Sequence, residues 1–437
     1  MRLFAVLLAF VTGTVLGLRS AVWASCFFTW NDIFRPLAWA RHAGPLGASW
    51  FYAVHYCTAV LAVAVFLRKW EHRWNQAAFA LLMFVGWIFT SALFAVQIDV
   101  AMTQAIEAAK YLIPLVFITA SLTTRWAQQI FLLTLAGSVG LWMAHHGLDC
   151  VLKGGAPEIF MAIPDGQMTD RNDFMVAGTG CIPLMAYVGW YYSGRWQSAI
   201  RWTARIALAF SFVALFLSLS RGAIIGITLL AVWFLFTTGR IGKRLVTVAV
   251  LGLCVMVLVP AVVWERMSTI EVGMEQTEMS ASGRVEHMLT ALKVTRDYPL
   301  TGCGPDNFVI VSTHYSQFDA EPHSIWLKCS AEYGLPMFAF FVLLVFSFLR
   351  QLHRAAREAR RTADRQTEAL ALSLSCAIVG FLATGTFTSQ FLSQYLWSIF
   401  ALAGAFLASP RALADEAVGA PAKSTNVVPP LRTAASR

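Results

Sequence analysis

The chain has 437 residues, of which 58% are hydrophobic and only 13% charged, with a mean hydropathy of +0.62 and a formal charge of +9. Soluble domains carry roughly 25% charged residues, so this composition excludes a folded soluble enzyme and describes an all-α polytopic membrane protein. The positive balance does not point to nucleic acid, because the basic residues fall in short segments between apolar runs, where they set membrane orientation.

Met1-Arg2-Leu3 opens an apolar run to Leu18 that reads as an uncleaved first span. At about 17–22 apolar residues per crossing, spans fall near 3–18, 50–67, 76–96, 105–122, 126–146, 173–192, 203–219, 222–238, 244–263, 335–350, 369–388 and 391–408. Twelve crossings put both termini on one side. With that side cytoplasmic, most of the 33 lysines and arginines lie inside, as the positive-inside rule requires. Residues 19–49 read as a re-entrant or interfacial segment, with Trp23, Trp30 and Trp39 at headgroup level; a thirteenth span there is the alternative.

The chain therefore divides into spans over 1–263, a polar outer segment over 264–334, further spans over 335–408 and a tail over 409–437. The tail is rich in Ala, Pro and Ser and is expected to be disordered. In the outer segment, Val285, Met288, Leu289 and Leu292 recur at helical spacing until Pro299. An amphipathic helix is expected, its apolar stripe lying on the membrane or on other spans, with Arg284 and His287 on one face. Gly302-Cys-Gly-Pro-Asp306 marks a turn.

His323 follows Pro322 and precedes Ser-Ile-Trp-Leu, a pattern that starts a helix with the histidine in its first turn. A helix N-terminus favours anions and leaves an imidazole neutral, able to accept a proton; a helix-capping or headgroup-contacting histidine fits the same spacing. Arg221, in Ser218-Leu-Ser-Arg221, sits between two apolar spans with almost no loop. A charge at that depth is a functional candidate unless it is an interfacial anchor. Arg284 and Arg266 share the outer side, and planar guanidinium groups suit phosphate, or a lipid headgroup. Asn172 and Asp173 open the sixth span, where helix capping is the simplest role for either. Asp319-x-Glu321 is weak as a metal pair, and there is no P-loop or nucleotide fingerprint. No metal and no cofactor are expected. The eight cysteines are scattered singly; Cys303 and Cys329 read as free, buried thiols, with pairing in an oxidising compartment as the alternative.

Ser218-Leu-Ser-Arg-Gly-Ala223, Gly283-Arg284, Pro299-Leu-Thr-Gly-Cys-Gly304 and His323-Ser324 followed by nine residues and Gly334 together resemble the O-antigen ligase family. That family shares a domain with Wzy-type polymerases and bacterial protein O-oligosaccharyltransferases. Met337 departs from the last place of the family's histidine signature, and the resemblance spans roughly 170–340. It implies a GT-C-like membrane glycosyltransferase with a periplasmic helical cap, in the bacterial inner membrane with both termini cytoplasmic. It also implies a glycan donor on undecaprenyl diphosphate and a lipid A-core acceptor, used without nucleotide or metal. Arg221 and Arg284, with Arg266, would hold the diphosphate; Asn172, Asp173 and Glu321 would contact substrate; His323 would deprotonate the acceptor hydroxyl. A protein or a second lipid-linked glycan is the alternative acceptor, and a transporter of lipid-linked anions is the rival of another class.

Overall fold

The computed structural model describes residues 2–36, 74–155, 161–163, 167–194, 196–238, 275–316 and 321–419, with scattered positions between 57 and 67. All regular structure among the described residues is helical: α1 (Arg2–Arg19), α2 (Ala21–Phe34), α3 (Gln76–Leu93), α4 (Ile98–Ser121), α5 (Arg125–Leu152), α6 (Arg171–Tyr191), α7 (Gln197–Leu217), α8 (Arg221–Thr238), α9 (Glu275–Asp297), α10 (Phe308–Ser312), α11 (Ile325–Arg361), α12 (Arg365–Gly385) and α13 (Gln394–Gly419). Seven of these (α3–α7, α11 and α12) are long and apolar enough to cross a membrane, and α1, α8 and α13 contain shorter apolar stretches. The chain is thus a polytopic helical membrane protein. The expected spans 50–67 and 244–263, and Arg266, lie largely or wholly outside the described residues.

Two ends of the bundle can be told apart from its polar contacts. At one end Arg125 pairs with Asp364 at 3.5 Å, Gln128 donates to Ser409 Oγ at 2.5 Å and to Ala405 O at 3.1 Å, and Gln366 donates to Ser193 Oγ at 2.9 Å. The other end carries the starts of α6, α8 and α11.

The α1–α2 pair changes the expected topology. Phe10 packs on Phe27 and Trp30 with ring centroids 5.6 and 6.2 Å apart, and Gly17 faces Ala24, so the two helices are antiparallel. Trp23 meets Trp126, and Ser25 lies 3.5 Å from Ser121, at the Arg125 end; Phe34 O accepts from Trp142 Nε1 at 2.8 Å toward the other. The start of α1 and the end of α13 therefore lie at opposite ends of the bundle, not together as twelve crossings would place them. The reason is chemical: α2 buries Asn31 and Asp32, and the Asp32 carboxylate pairs with Arg35 at 3.3 Å inside the protein. A charge paired within the protein can lie among helices and away from the headgroup layer.

The core is built around α6 and α12. Gly380 faces Thr179 O and Gly226 faces Thr384, and Thr179 Oγ1 lies 2.8 Å from Thr384 Oγ1. Small residues let membrane helices approach, and hydroxyls join them. Near the His323 end an aromatic cluster holds the α12–α13 connection. Phe391 is fully buried, with its ring 5.1–5.3 Å from those of Phe84, Tyr333 and Phe341.

The outer segment is anchored to α11 at a break. Gly334 has φ +80, and a Cβ there would sit 2.1 Å from Leu300 O. Gly302 has φ +73 and lies equally close to Glu332. Cys303 N and Gly304 N donate to Ala331 O and Glu332 O at 2.9 and 3.1 Å, Leu335 N donates to Pro299 O at 2.8 Å, and Trp87 Nε1 takes the freed Tyr333 O at 2.8 Å. These bonds satisfy backbone groups that the break releases. α9 packs on α11 through Ala291 and Val294, which join Cys303, Phe308, Val311 and Ala331 in a separate small core. Its Val285, Leu289 and Leu292 are exposed, so that part of the apolar stripe packs on no described span. Cys303 and Cys329 are both buried and free. α13 continues past Ser409 to Gly419, so the first part of the expected disordered tail is helical.

Candidate active site

Three helices begin at the same end of the bundle, and their N-termini meet around the α12–α13 connection. Ser220, just before α8, donates to Asn172 Oδ1 in the first turn of α6 at 2.9 Å. Gly222 of α8 packs on Phe387. Trp326, in the first turn of α11, donates to Thr386 Oγ1 at 3.1 Å, and the His323 amide donates to Ser389 Oγ at 3.1 Å. Asp173 is hydrogen-bonded to Gln390 and feels the charge of Glu321. Asn172, Asp173, Arg221, Glu321 and His323, from three separate stretches of sequence, are thereby brought together.

The local conformations differ from expectation in two ways. The cap of α6 is Asp170, whose carboxylate accepts from Asn172 N at 2.7 Å, so neither Asn172 nor Asp173 caps the helix. Capping by Asp170 leaves both side chains free to face the junction. His323 precedes the Ser324 N-cap of α11 and so lies outside the first turn, with a left-handed backbone at φ 46. Such a conformation in a non-glycine residue costs about 1–3 kcal/mol and persists only where surrounding contacts impose it.

A network of charges lies beside this loop. Glu321 pairs with Lys328 at 2.9 Å, and Lys328 lies 3.9 Å from Glu332. Lys328 and Glu332 are both buried. Burial by itself would push the Glu321 carboxyl up, but the charge of Lys328, hydrogen bonds from Ser389 and Lys328, and His323 together hold it below the ordinary carboxylate value. Burial raises the nearby Asp306 carboxyl. A negative Glu321 beside His323 stabilises positive charge developing on the imidazole.

Arg221 is the first residue of α8 and is half-buried. A cation there opposes the helix dipole. Its placement is favourable once an anion occupies the same site, since the guanidinium and the helix amides then act on it together. His287 of α9 is buried with its ring centroid 6.0 Å from that of His323, and Arg284 lies one turn earlier on α9. Among the described residues no three His, Cys, Asp or Glu side chains gather as a metal site would need.

Ser389, Gln390, Lys328 and Glu332 were not singled out from sequence. The signal for the first two was present: Thr386, Thr388, Ser389, Gln390, Ser393 and Gln394 crowd one short stretch. It was hidden because hydropathy runs spans to 388 and from 391.

The fold is that of a polytopic helical membrane protein, with a histidine-bearing junction of helix N-termini at one end of its bundle. Residues 206–342, about a third of the chain, match the family model described as O-antigen ligase. Arg221, Arg284, Glu321 and His323 lie inside the match, and Asn172 and Asp173 lie before it. No curated protein matches the chain.

Proposed function

We propose that the protein is a glycosyltransferase of the O-antigen ligase kind, transferring a glycan from undecaprenyl diphosphate to lipid A-core with inversion at the anomeric carbon. The observation that carries this reading is the junction itself: within the matched region, the start of α8 with Arg221 and the loop with His323 pack on one connection, Phe387–Ser389. A lipid diphosphate is already a good leaving group. The protein must supply charge stabilisation and a base.

In this mechanism Arg221 and the amides at the start of α8, with Arg284 and Arg266, bind the diphosphate. His323 takes the proton of the acceptor hydroxyl as its oxygen attacks the anomeric carbon and the bond to the diphosphate breaks. Glu321 stabilises the resulting imidazolium. Asn172 and Asp173 hydrogen-bond the sugar next to the scissile bond. One displacement inverts configuration and needs no glycosidase pair of carboxylates, and no metal or other cofactor takes part.

The site faces the periplasm of a bacterial inner membrane in this reading. Arg125, Arg201, Arg205 and the arginines over 350–365 gather at the opposite, cytoplasmic end with the C-terminus. The start of α1 is then periplasmic, and 264–334 forms the periplasmic cap.

The test is glycan transfer by purified protein from synthetic undecaprenyl-diphosphate glycan to lipid A-core in EDTA. Transfer survives chelation and falls by a factor of about 10²–10⁴ in His323→Ala, with Arg221→Ala comparably impaired and both variants folded. Absence of transfer by folded, donor-binding wild type refutes this acceptor, leaving a protein or lipid-linked glycan acceptor, or transport.

A further inference from the structure

Past its break at Gly334, α11 turns one row of residues outward. Leu335, Ala339, Leu343 and Phe346 are exposed, and Arg350, Arg354, Arg357 and Arg361 are exposed in continuation of the same row. Each step along it is three or four residues, which keeps all eight on one side of a helix. Leu352, Ala356 and Ala359, on the opposite side, are buried. An exposed apolar face on a membrane span meets lipid tails. Between Phe346 and Arg350 that face changes from apolar to cationic within one turn.

The arginine stretch runs along the end of the bundle, not away from it. Gln351 Nε2 donates to Gln76 Oε1 at 2.6 Å at the start of α3, and Arg360 Nε donates to Glu368 Oε1 at 2.7 Å at the start of α12. The starts of two spans mark the level of the headgroups, so both ends of the arginine row lie near it.

Among the described residues no ion pair engages an arginine of the row, whereas Arg360, on the neighbouring side of the helix, has Glu368. Like charges four residues apart, as in Arg350 with Arg354 and Arg357 with Arg361, repel on a helix. Counter-charge from outside the protein relieves that repulsion. The positive-inside rule accounts for arginines at this end, but not for their alignment with the lipid-facing row. Planar guanidinium groups bind phosphate bidentately. The phosphates that border a row continuous with lipid tails are those of the headgroups.

We propose that Arg350, Arg354, Arg357 and Arg361 form a docking surface for anionic phospholipids in the leaflet at the Arg125 end. The guanidinium groups hold the headgroup phosphates, and acyl chains lie along Phe346 and Leu343. This surface is at the opposite end from the His323 junction and does not depend on the glycan-transfer reading.

The experiment uses full-length protein in detergent and native mass spectrometry with phosphatidylglycerol and phosphatidylcholine of the same acyl chains. Wild type retains phosphatidylglycerol in preference, and added salt weakens that preference. An arginine near anionic headgroups contributes a factor of about five, so the double variant Arg354→Gln/Arg357→Gln loses about 25-fold in affinity for phosphatidylglycerol and little for phosphatidylcholine. The matched control is Arg201→Gln/Arg205→Gln, which removes the same charge from arginines whose Nε atoms donate to Tyr192 O and Gly189 O, both at 2.8 Å. Its lipid selectivity stays near that of wild type. In phosphatidylcholine nanodiscs Arg354→Gln/Arg357→Gln melts no lower than wild type, because no ion pair within the protein is lost.

Equal phosphatidylglycerol binding by wild type and Arg354→Gln/Arg357→Gln overturns the proposal and leaves the row to an acidic protein or to solvent. An equal loss in the Arg201→Gln/Arg205→Gln control also overturns it, because total charge and not the row would then set the preference.

Discussion

The two ends of the helical bundle are built on different principles. The Arg125 end is tied by partly exposed ion pairs, Arg125 with Asp364 and Arg360 with Glu368, and by amide-to-hydroxyl bonds between neighbouring helices. Arg205 there lies over the Trp202 ring at 4.9 Å, an arrangement suited to a membrane interface. The His323 end buries Lys328 and Glu332, turns three helix N-termini toward one junction and holds Leu219, Asp306 and His323 in left-handed conformations. One end maintains the fold cheaply. The other holds charge and strain that only a ligand or a reaction makes useful.

The largest break in this contrast comes from Lys328. Lys328→Met leaves Glu332 buried without its cation and releases Glu321, and removing one partner of a buried pair costs about 3–5 kcal/mol. The variant should unfold at clearly lower temperature, and adding Glu332→Gln should restore part of the loss. At the other end, Arg360→Met removes a partner whose side chain is 35% exposed, from a pair at 2.7 Å. Partly exposed pairs are worth about 0.2–1 kcal/mol, so thermal melts of the two variants side by side measure the asymmetry directly. Equal losses would mean that the two ends do not differ in kind.

A second comparison uses backbone strain. Ala363 is exposed at the Arg125 end with φ 59, and His323 has φ 46 at the other. Glycine adopts this region freely, so Ala363→Gly should stabilise by about 0.5–1 kcal/mol and leave transfer unchanged. His323→Gly should also relieve strain, and should abolish transfer. Strain that can be removed at one end without penalty is tied to function at the other.

These differences explain what could be read from sequence. Apolar runs located the long helices, because a span needs about 20 apolar residues and little else in this chain has that length. The His323 loop was legible too, since Pro322-His323 stands where a polar segment meets an apolar run. The α1–α2 hairpin was not. Asn31, Asp32 and Arg35 look like the edge of a span until the structure shows all three buried in the bundle, with Asp32 and Arg35 paired. The Asp170 cap was missed for a related reason: Asp170, Asn172 and Asp173 are all good capping residues, and only the backbone decides among them. Ser389 and Gln390 were lost because an hydropathy profile cannot register a two-residue gap between spans. Their importance comes from Phe391, which fixes the connection through contacts distant in sequence.

The smallest expected effect is the pH response of the Glu321–Lys328 pair, and its sign follows from the depressed carboxyl. Glu321 titrates below its ordinary value of 4.5 in the folded protein. The folded state thus binds its proton less readily than the unfolded chain. The stabilisation is fully present above the unfolded value and is lost as pH falls through the lower folded value. With its side chain 38% exposed, solvent screens much of the interaction. Wild type should therefore show a shallow fall in melting temperature on acidification below the ordinary glutamate range, and Glu321→Gln should flatten that part of the profile while leaving the neutral-pH melt nearly unchanged. Glu321→Gln should also shift the acid limb of the transfer rate, because His323 would lose the charge that stabilises its protonated form. An unaltered rate profile would separate the pair from catalysis and leave it the task of holding the His323 loop.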